Sequence, residues 1–180
     1  MSKVEDDVQF AEPQDMPVDY MQRLRDYYLA LGYDNPYRWA QYAQVPFCAL
    51  SKPLDASRVG LVTTAAPYKA DAGEQGARAP YNAAAKFYQV YSYPSDQDQF
   101  LGISHLGYDR VYSTAEDINA FFPLVALRQA AAEGRIGEVA PRYYGAPTNR
   151  SQATTIRQDS ADILQMMRED EVDLAILLPS

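Results

Sequence analysis

The run Val59-Gly60-Leu61-Val62-Thr63-Thr64 carries neither charge nor polar alternation, and that pattern most narrows what the chain can become. A strand with one wet face alternates; a continuous β-rich apolar run suits burial on both faces of a parallel sheet, which needs helices to cover it. Residues 172–178, unbroken apolar from Leu174 onward, are read as a final buried strand. Between them, residues 123–133 read as a helix opened by Pro123, with Leu124, Leu127 and Ala131 on one face and Gly134 behind it. Residues 154–169 read as another, with Ile156, Ile163, Leu164 and Met167 apolar. Shorter strands are expected over 88–93, 101–104 and 139–144. Strand-helix-strand order implies right-handed crossovers. The expected class is α/β: a mostly parallel Rossmann-like sheet flanked by helices.

Upstream the pattern changes. Residues 1–17 are acidic and punctuated by proline, with too few large apolar groups to offset the entropy of ordering, and are expected to be a flexible leader. Residues 18–57 read as an aromatic helical extension and linker. Met21, Leu24, Tyr28 and Leu31 recur at helical spacing after Asp19, a capping residue, and before Gly32, a terminator. A second short helix is expected from Asn35-Pro36, carrying Tyr37, Trp39 and Tyr42. Residues 58–180 then make the α/β domain.

Composition removes several classes. Cys48 and His105 are the only residues of their kinds, so neither an internal disulfide nor a structural metal cluster is expected. Sixteen basic against 24 acidic residues give a net charge of -8, which repels a phosphate backbone and makes nucleic acid a poor partner. Apolar runs fall far short of the ~20 residues that cross a bilayer, and the start is acidic, so no membrane and a cytoplasmic location are expected. No Gly-x-Gly-x-x-Gly, P-loop or Gly-x-Ser-x-Gly is present. Cys48 reads as a small hydrophobe, since nothing nearby in sequence activates its thiol.

In open α/β sheets ligands sit beyond the carboxyl ends of strands, which directs attention to four places. Thr64 follows the first core strand, where hydroxyls and amides can face a substrate or merely turn the chain. His105 follows the strand at 101–104 and has Asp109 close behind; imidazole suits proton transfer near neutral pH and a carboxylate can fix its tautomer, while a structural pair is the commoner outcome. Asp117 and Asn119 precede the helix at 123, where capping or turn formation is the usual use of such side chains. Arg150 lies between a strand and a helix N-terminus, a place able to hold a carboxylate or simply to cap.

Taken in order, Val59 to Ala66, Ser104-His105-Leu106-Gly107-Tyr108-Asp109, Glu116-Asp117-Ile118-Asn119, Phe122-Pro123-Leu124 and Gly137-Glu138-Val139-Ala140-Pro141 resemble the selenoprotein B family of glycine, sarcosine, betaine and D-proline reductases. The resemblance runs from about Val59 onward, and the helical extension before Cys48 looks accessory. It implies an oxidoreductase subunit for reductive carbon-nitrogen cleavage, with disulfide as electron acceptor. In the family a selenocysteine, or a cysteine in selenium-independent relatives, follows the strand corresponding to 172–178. The expectation is therefore that the nucleophile lies just after Ser180, through a misread UGA codon or a cut in the sequence, and that this 180-residue form is inactive.

The resemblance further implies no cofactor in this chain, a pyruvoyl group on a partner subunit, other reductase subunits, a thiol reductant system and a small amine or amino-acid-like substrate. His105 and Asp109 would manage protons, and Asp117 and Asn119 would position groups near the nucleophile. Thr64 and Arg150 enter as substrate-binding candidates on the physical grounds above. Two rivals stand beside this reading: a non-catalytic interaction protein docking through its tyrosine-rich N-terminal helices, and a small-molecule-binding α/β domain.

Overall fold

The computed structural model describes residues 9–10, 19–33, 40–41, 48–67, 89–103, 117–147 and 151–179, and the chain divides into two units, Met1–Cys48 and Ala49–Ser180. In the first unit, strands β1 (Gln9–Phe10) and β2 (Ala40–Gln41) pair antiparallel, and helix α1 spans Asp19–Ala30. Gly32, at φ +84°, ends α1 by letting Tyr33 N–H reach back to the Tyr28 carbonyl at 3.2 Å. Of the second helix expected from Asn35, residues 35–39 and Tyr42 lie outside the described residues, while Ala40–Gln41, which it would have included, are strand. A cross-strand partner 30 residues upstream, invisible to local propensity, decides this pairing.

In the second unit, β3 (Arg58–Thr63) is the central strand. It is followed by β4 (Ala66–Pro67), β5 (Tyr91–Pro94), β6 (Leu101–Gly102), helix α2 (Leu124–Ala132), β7 (Glu138–Val139) and β8 (Arg142–Gly145). Helix α3 then runs without a break through Gln152–Thr154, a π-helical turn at Thr155–Asp159, and Ser160–Glu169, before β9 (Leu174–Leu178). β3 pairs in parallel with β7 and β8 on one edge and β9 on the other, while β5 runs antiparallel to β8. The result is the expected α/β fold, with a mixed, mostly parallel sheet and helices against it.

Alternation along β3 divides the core. Val59 and Leu61 pack with Leu124 and Leu127 of α2, whereas Val62 packs with Tyr144 of β8 and Ile163 of α3. Both faces of the strand are therefore covered, which is what its unbroken apolar run requires. Gly134, at φ +70°, stops α2 as its sequence position suggests.

Three strands depart from expectation. The strand expected at 139–144 is split at Ala140-Pro141, because proline has no N–H for the ladder; Arg58 pairs with Glu138 but Val62 with Tyr144, so two extra residues bulge out between them. β9, expected to be buried, is largely exposed, since only one of its edges is paired among the described residues. The strand at 101–104 also lies outside the main sheet: β6 pairs antiparallel with β4.

Tyr143 is fully buried, edge-on to Phe122 at 4.7 Å between ring centroids, and its hydroxyl has no hydrogen-bond partner among the described residues. An unmet buried hydroxyl costs more than the same ring without it. Tyr143→Phe is therefore expected to raise stability by about 1 kcal/mol, read as a later urea midpoint at unchanged slope.

Candidate functional site

The carboxyl ends of β3, β8 and β9 lie side by side. Thr64 N–H donates to the Leu178 carbonyl at 3.2 Å, and Ala146 N–H donates to the Thr63 carbonyl at 2.8 Å. Just past β3 the chain turns, with Ala65 N–H bonded to Thr63 Oγ1 at 3.0 Å. The antiparallel β4–β6 pair follows at once, and Ile103, directly after β6, is buried in the same cluster as Ala65. The helix leaving this end of the sheet, α3, is capped by Ser151, whose Oγ accepts from Thr154 N–H at 3.2 Å.

Tyr91 completes this edge, and sequence reading missed it. Its hydroxyl donates to the Ala65 carbonyl, and its ring lies over Gly145, where a Cβ would come within 1.9 Å of the ring. Burial, with Tyr143 and Tyr93 close by, raises its pKa, so Tyr91 stays a protonated donor at neutral pH. It fixes the turn after β3 and cannot serve as a base. The available signal was the alternation of Tyr91 and Tyr93, which puts both on one face of β5.

Of the residues singled out in the sequence, Thr64 stands at this end, half-buried beside the end of β9. Asp117 and Asn119 bond to each other: Asp117 Oδ1 accepts from Asn119 N–H at 2.9 Å and from its side-chain amide at 3.2 Å. This capping of the 3₁₀ turn Ile118–Ala120 sets up Phe121 and Phe122 for the core. His105, Asp109 and Arg150 lie outside the described residues.

The opposite, amino-terminal end of the sheet carries ion pairs. Arg58 Nε donates to Glu138 Oε1 at 2.9 Å, Asp173 Oδ2 accepts from Arg58 N–H at 2.9 Å, and Lys52 Nζ lies 2.7 Å from the same carboxylate oxygen. At the end of α3, Asp170 Oδ2 accepts from Arg142 Nε and Tyr144 Oη of β8, both at 2.6 Å. These groups tie strand starts to the α3–β9 turn; they face away from the end where α/β sheets do chemistry.

Lys52, then the Arg58 N–H, holds the Asp173 carboxyl below its ordinary pKa, and bonds from Gln165 and Arg142 do the same for Glu169. Because folding lowers these values, the stability they lend is in place above the usual carboxylate range, about 4, and is lost as pH falls through the lowered values. The urea midpoint is therefore expected to drop between pH 6 and pH 3, and to drop less in Asp173→Asn.

A family model described as glycine/sarcosine/betaine reductase selenoprotein B matches residues 32–180. The match begins upstream of Val59 and includes residues 32–58. No curated protein and no solved structure matches the chain.

Proposed function

The chain belongs to the glycine/sarcosine/betaine reductase selenoprotein B family, and from that premise we propose that it is a subunit of a multi-subunit reductase that cleaves a carbon-nitrogen bond with a selenol or thiol placed just after β9. The observation that supports this placement is the bond from Thr64 N–H to the Leu178 carbonyl, which sets the end of β9 against the end of β3. A nucleophile following Leu178 and Pro179 would emerge beside Thr64 and the turn that Tyr91 holds. A selenol is ionised at neutral pH, unlike most thiols, and strand ends in α/β sheets are open to substrate.

In the proposed reaction the selenolate attacks the substrate carbon, the carbon-nitrogen bond breaks and the amine leaves with the electron pair. Two thiols of a reductant system then release the carbon as a C–H product and end as a disulfide, restoring the selenol. His105 and Asp109 would move the protons. Thr64 and Arg150 would hold the substrate's polar end, and Asp117 with Asn119 would position the loop that precedes α2. A small amine or amino-acid-like substrate fits this assignment, and a pyruvoyl group would belong to a partner subunit rather than to this chain. A cytoplasmic setting rich in thiols suits the chemistry.

Intact mass and selenium content of the protein from its own host test the proposal. A species heavier than 20.2 kDa that carries selenium, or an added cysteine, is the expected result. A selenium-free species of 20.2 kDa would leave no nucleophile at the proposed place and sink the catalytic reading.

A second reading, docking through the N-terminal unit, draws support from α1. Tyr27 and Leu29 on the helix and Leu31 and Tyr33 just after it are all exposed, and Tyr28 meets Tyr33 edge-on at 5.5 Å. Aromatic side chains in such a cluster suit an interface.

A further inference from the structure

The open edge of β9 has a bonding parity that can be read from its partners. Thr64 N–H reaches the Leu178 carbonyl, whereas Ala140 and Ala146 N–H groups reach the Val59 and Thr63 carbonyls on the other edge of β3. Alternation then turns the polar backbone groups of Leu174, Ile176 and Leu178 toward β3 and those of Ala175 and Leu177 away from it. Among the described residues no strand meets that outer edge. The usual protections of an edge strand, a charge, a bulge or an internal proline, are missing between Asp173 and Pro179.

The side chains show a matching pattern. Leu177 pairs with Val62 in the β3 register, so it stands on the α3 face of the sheet, and it is 70% exposed; Ala175, on the same face, is small. Leu164 of α3 is 46% exposed. Glu169 reaches Arg142 of β8 at 2.9 Å, which fixes one flank of α3. With about 100° of rotation per residue, buried Ile163 lies between Glu169 and Leu164, which puts Leu164 on the opposite flank, over β9. Its height also agrees. Asp170 and Asp173 both bond Arg58, so the end of α3 and the start of β9 are level. Three strand residues, roughly 10 Å, correspond to about six or seven helix residues, and this puts Leu164 level with Ile176.

We infer that this edge is a two-fold interface between two copies of the chain, with β9 pairing antiparallel to its symmetry mate about Ile176. That register sets Ala175 opposite Leu177 of the second copy and Leu177 opposite its Ala175. All four residues point their N–H and C=O groups outward, so four backbone hydrogen bonds form without any rearrangement. Each large Leu177 falls beside a small Ala175, and the two Leu164 side chains meet above the dyad. The pairing continues the sheet across both copies, while Pro179, without an N–H, ends the ladder on each side. A two-fold contact needs such self-complementarity, whereas an unrelated strand would not.

Sedimentation equilibrium of the protein purified from its own host, at tens of micromolar, is expected to give twice the intact mass of one chain. Leu177→Lys should weaken the dimer about tenfold or more by setting an ammonium group against the mate, with an unchanged circular dichroism spectrum because the side chain is surface-exposed in one copy. In a Cys48→Ser background, Ile176→Cys should crosslink on mild oxidation, since a non-hydrogen-bonded antiparallel pair sets Cα atoms about 4.5 Å apart. Val125→Cys, exposed on α2, serves as the collision control. A monomeric wild type, a Leu177→Lys variant that still dimerises, or crosslinking at 176 no faster than at 125 would each overturn the interface. A strand of this chain already seated on that edge would appear as the first of these.

Discussion

Gly145→Ala is expected to lower stability by about 3 kcal/mol, a large effect for one methyl group. Gly145 pairs with Tyr91 across β8 and β5, and the ring occupies the space a Cβ needs, so the ring must leave. When it leaves, its hydroxyl loses the Ala65 carbonyl and the turn after β3 loosens. A double-mutant cycle isolates the cause. In a Tyr91→Ala background, adding Gly145→Ala should cost less than about 1 kcal/mol, since the obstruction is gone and alanine is the better strand residue. An undiminished cost would show that Gly145 is required for some reason other than the ring above it.

The other large effect is expected at Asp170. One oxygen of this carboxylate accepts from both Arg142 and Tyr144, and Tyr144 is fully buried. Asp170→Ala leaves a buried hydroxyl unmet and a guanidinium with only Glu169 and a distant backbone carbonyl for partners. The expected loss is about 2 to 3 kcal/mol, below the value for a fully buried pair because Arg142 remains partly in water. Tyr144→Phe combined with Asp170→Ala should recover part of it, since no donor is then left stranded. If the double variant is as unstable as the single one, the hydroxyl was not the source of the loss.

The sheet's centre was legible because its information is local. The unbroken apolar run at β3 announces two covered faces, and Gly134 after the α2 pattern announces a stop. The split between β7 and β8 was within reach too, since Pro141 cannot donate to a ladder. The exposure of β9 was not, because an apolar run says that a strand can be buried and not whether both of its edges have neighbours. The antiparallel pairing of Ala40–Gln41 depends on Gln9–Phe10 and has no local signature.

For the candidate site, sequence position put Thr64 just past the carboxyl end of β3, which is where it stands beside Leu178. For Asp117 and Asn119, capping, the commoner use of such side chains, is what their mutual hydrogen bonds show. Tyr91 and Asp170 escaped notice because their partners, Ala65 and Tyr144, are each 26 residues away in sequence. Spacing within a motif cannot reveal contacts of that range.

The central position of β3 also has a consequence for how the protein is made. The strand is synthesised early, yet the partners of Arg58 lie 80 residues later at Glu138 and 115 residues later at Asp173. No nearer segment among the described residues pairs with its edges. During translation this apolar β-forming run must therefore wait for its second edge until the segment through Leu178 has left the ribosome, and closure of the sheet around it is a non-local event. Folding yield should depend on what shields Val59 to Thr63 in that interval, which makes holding chaperones and slower, cooler expression the conditions that favour recovery of native protein.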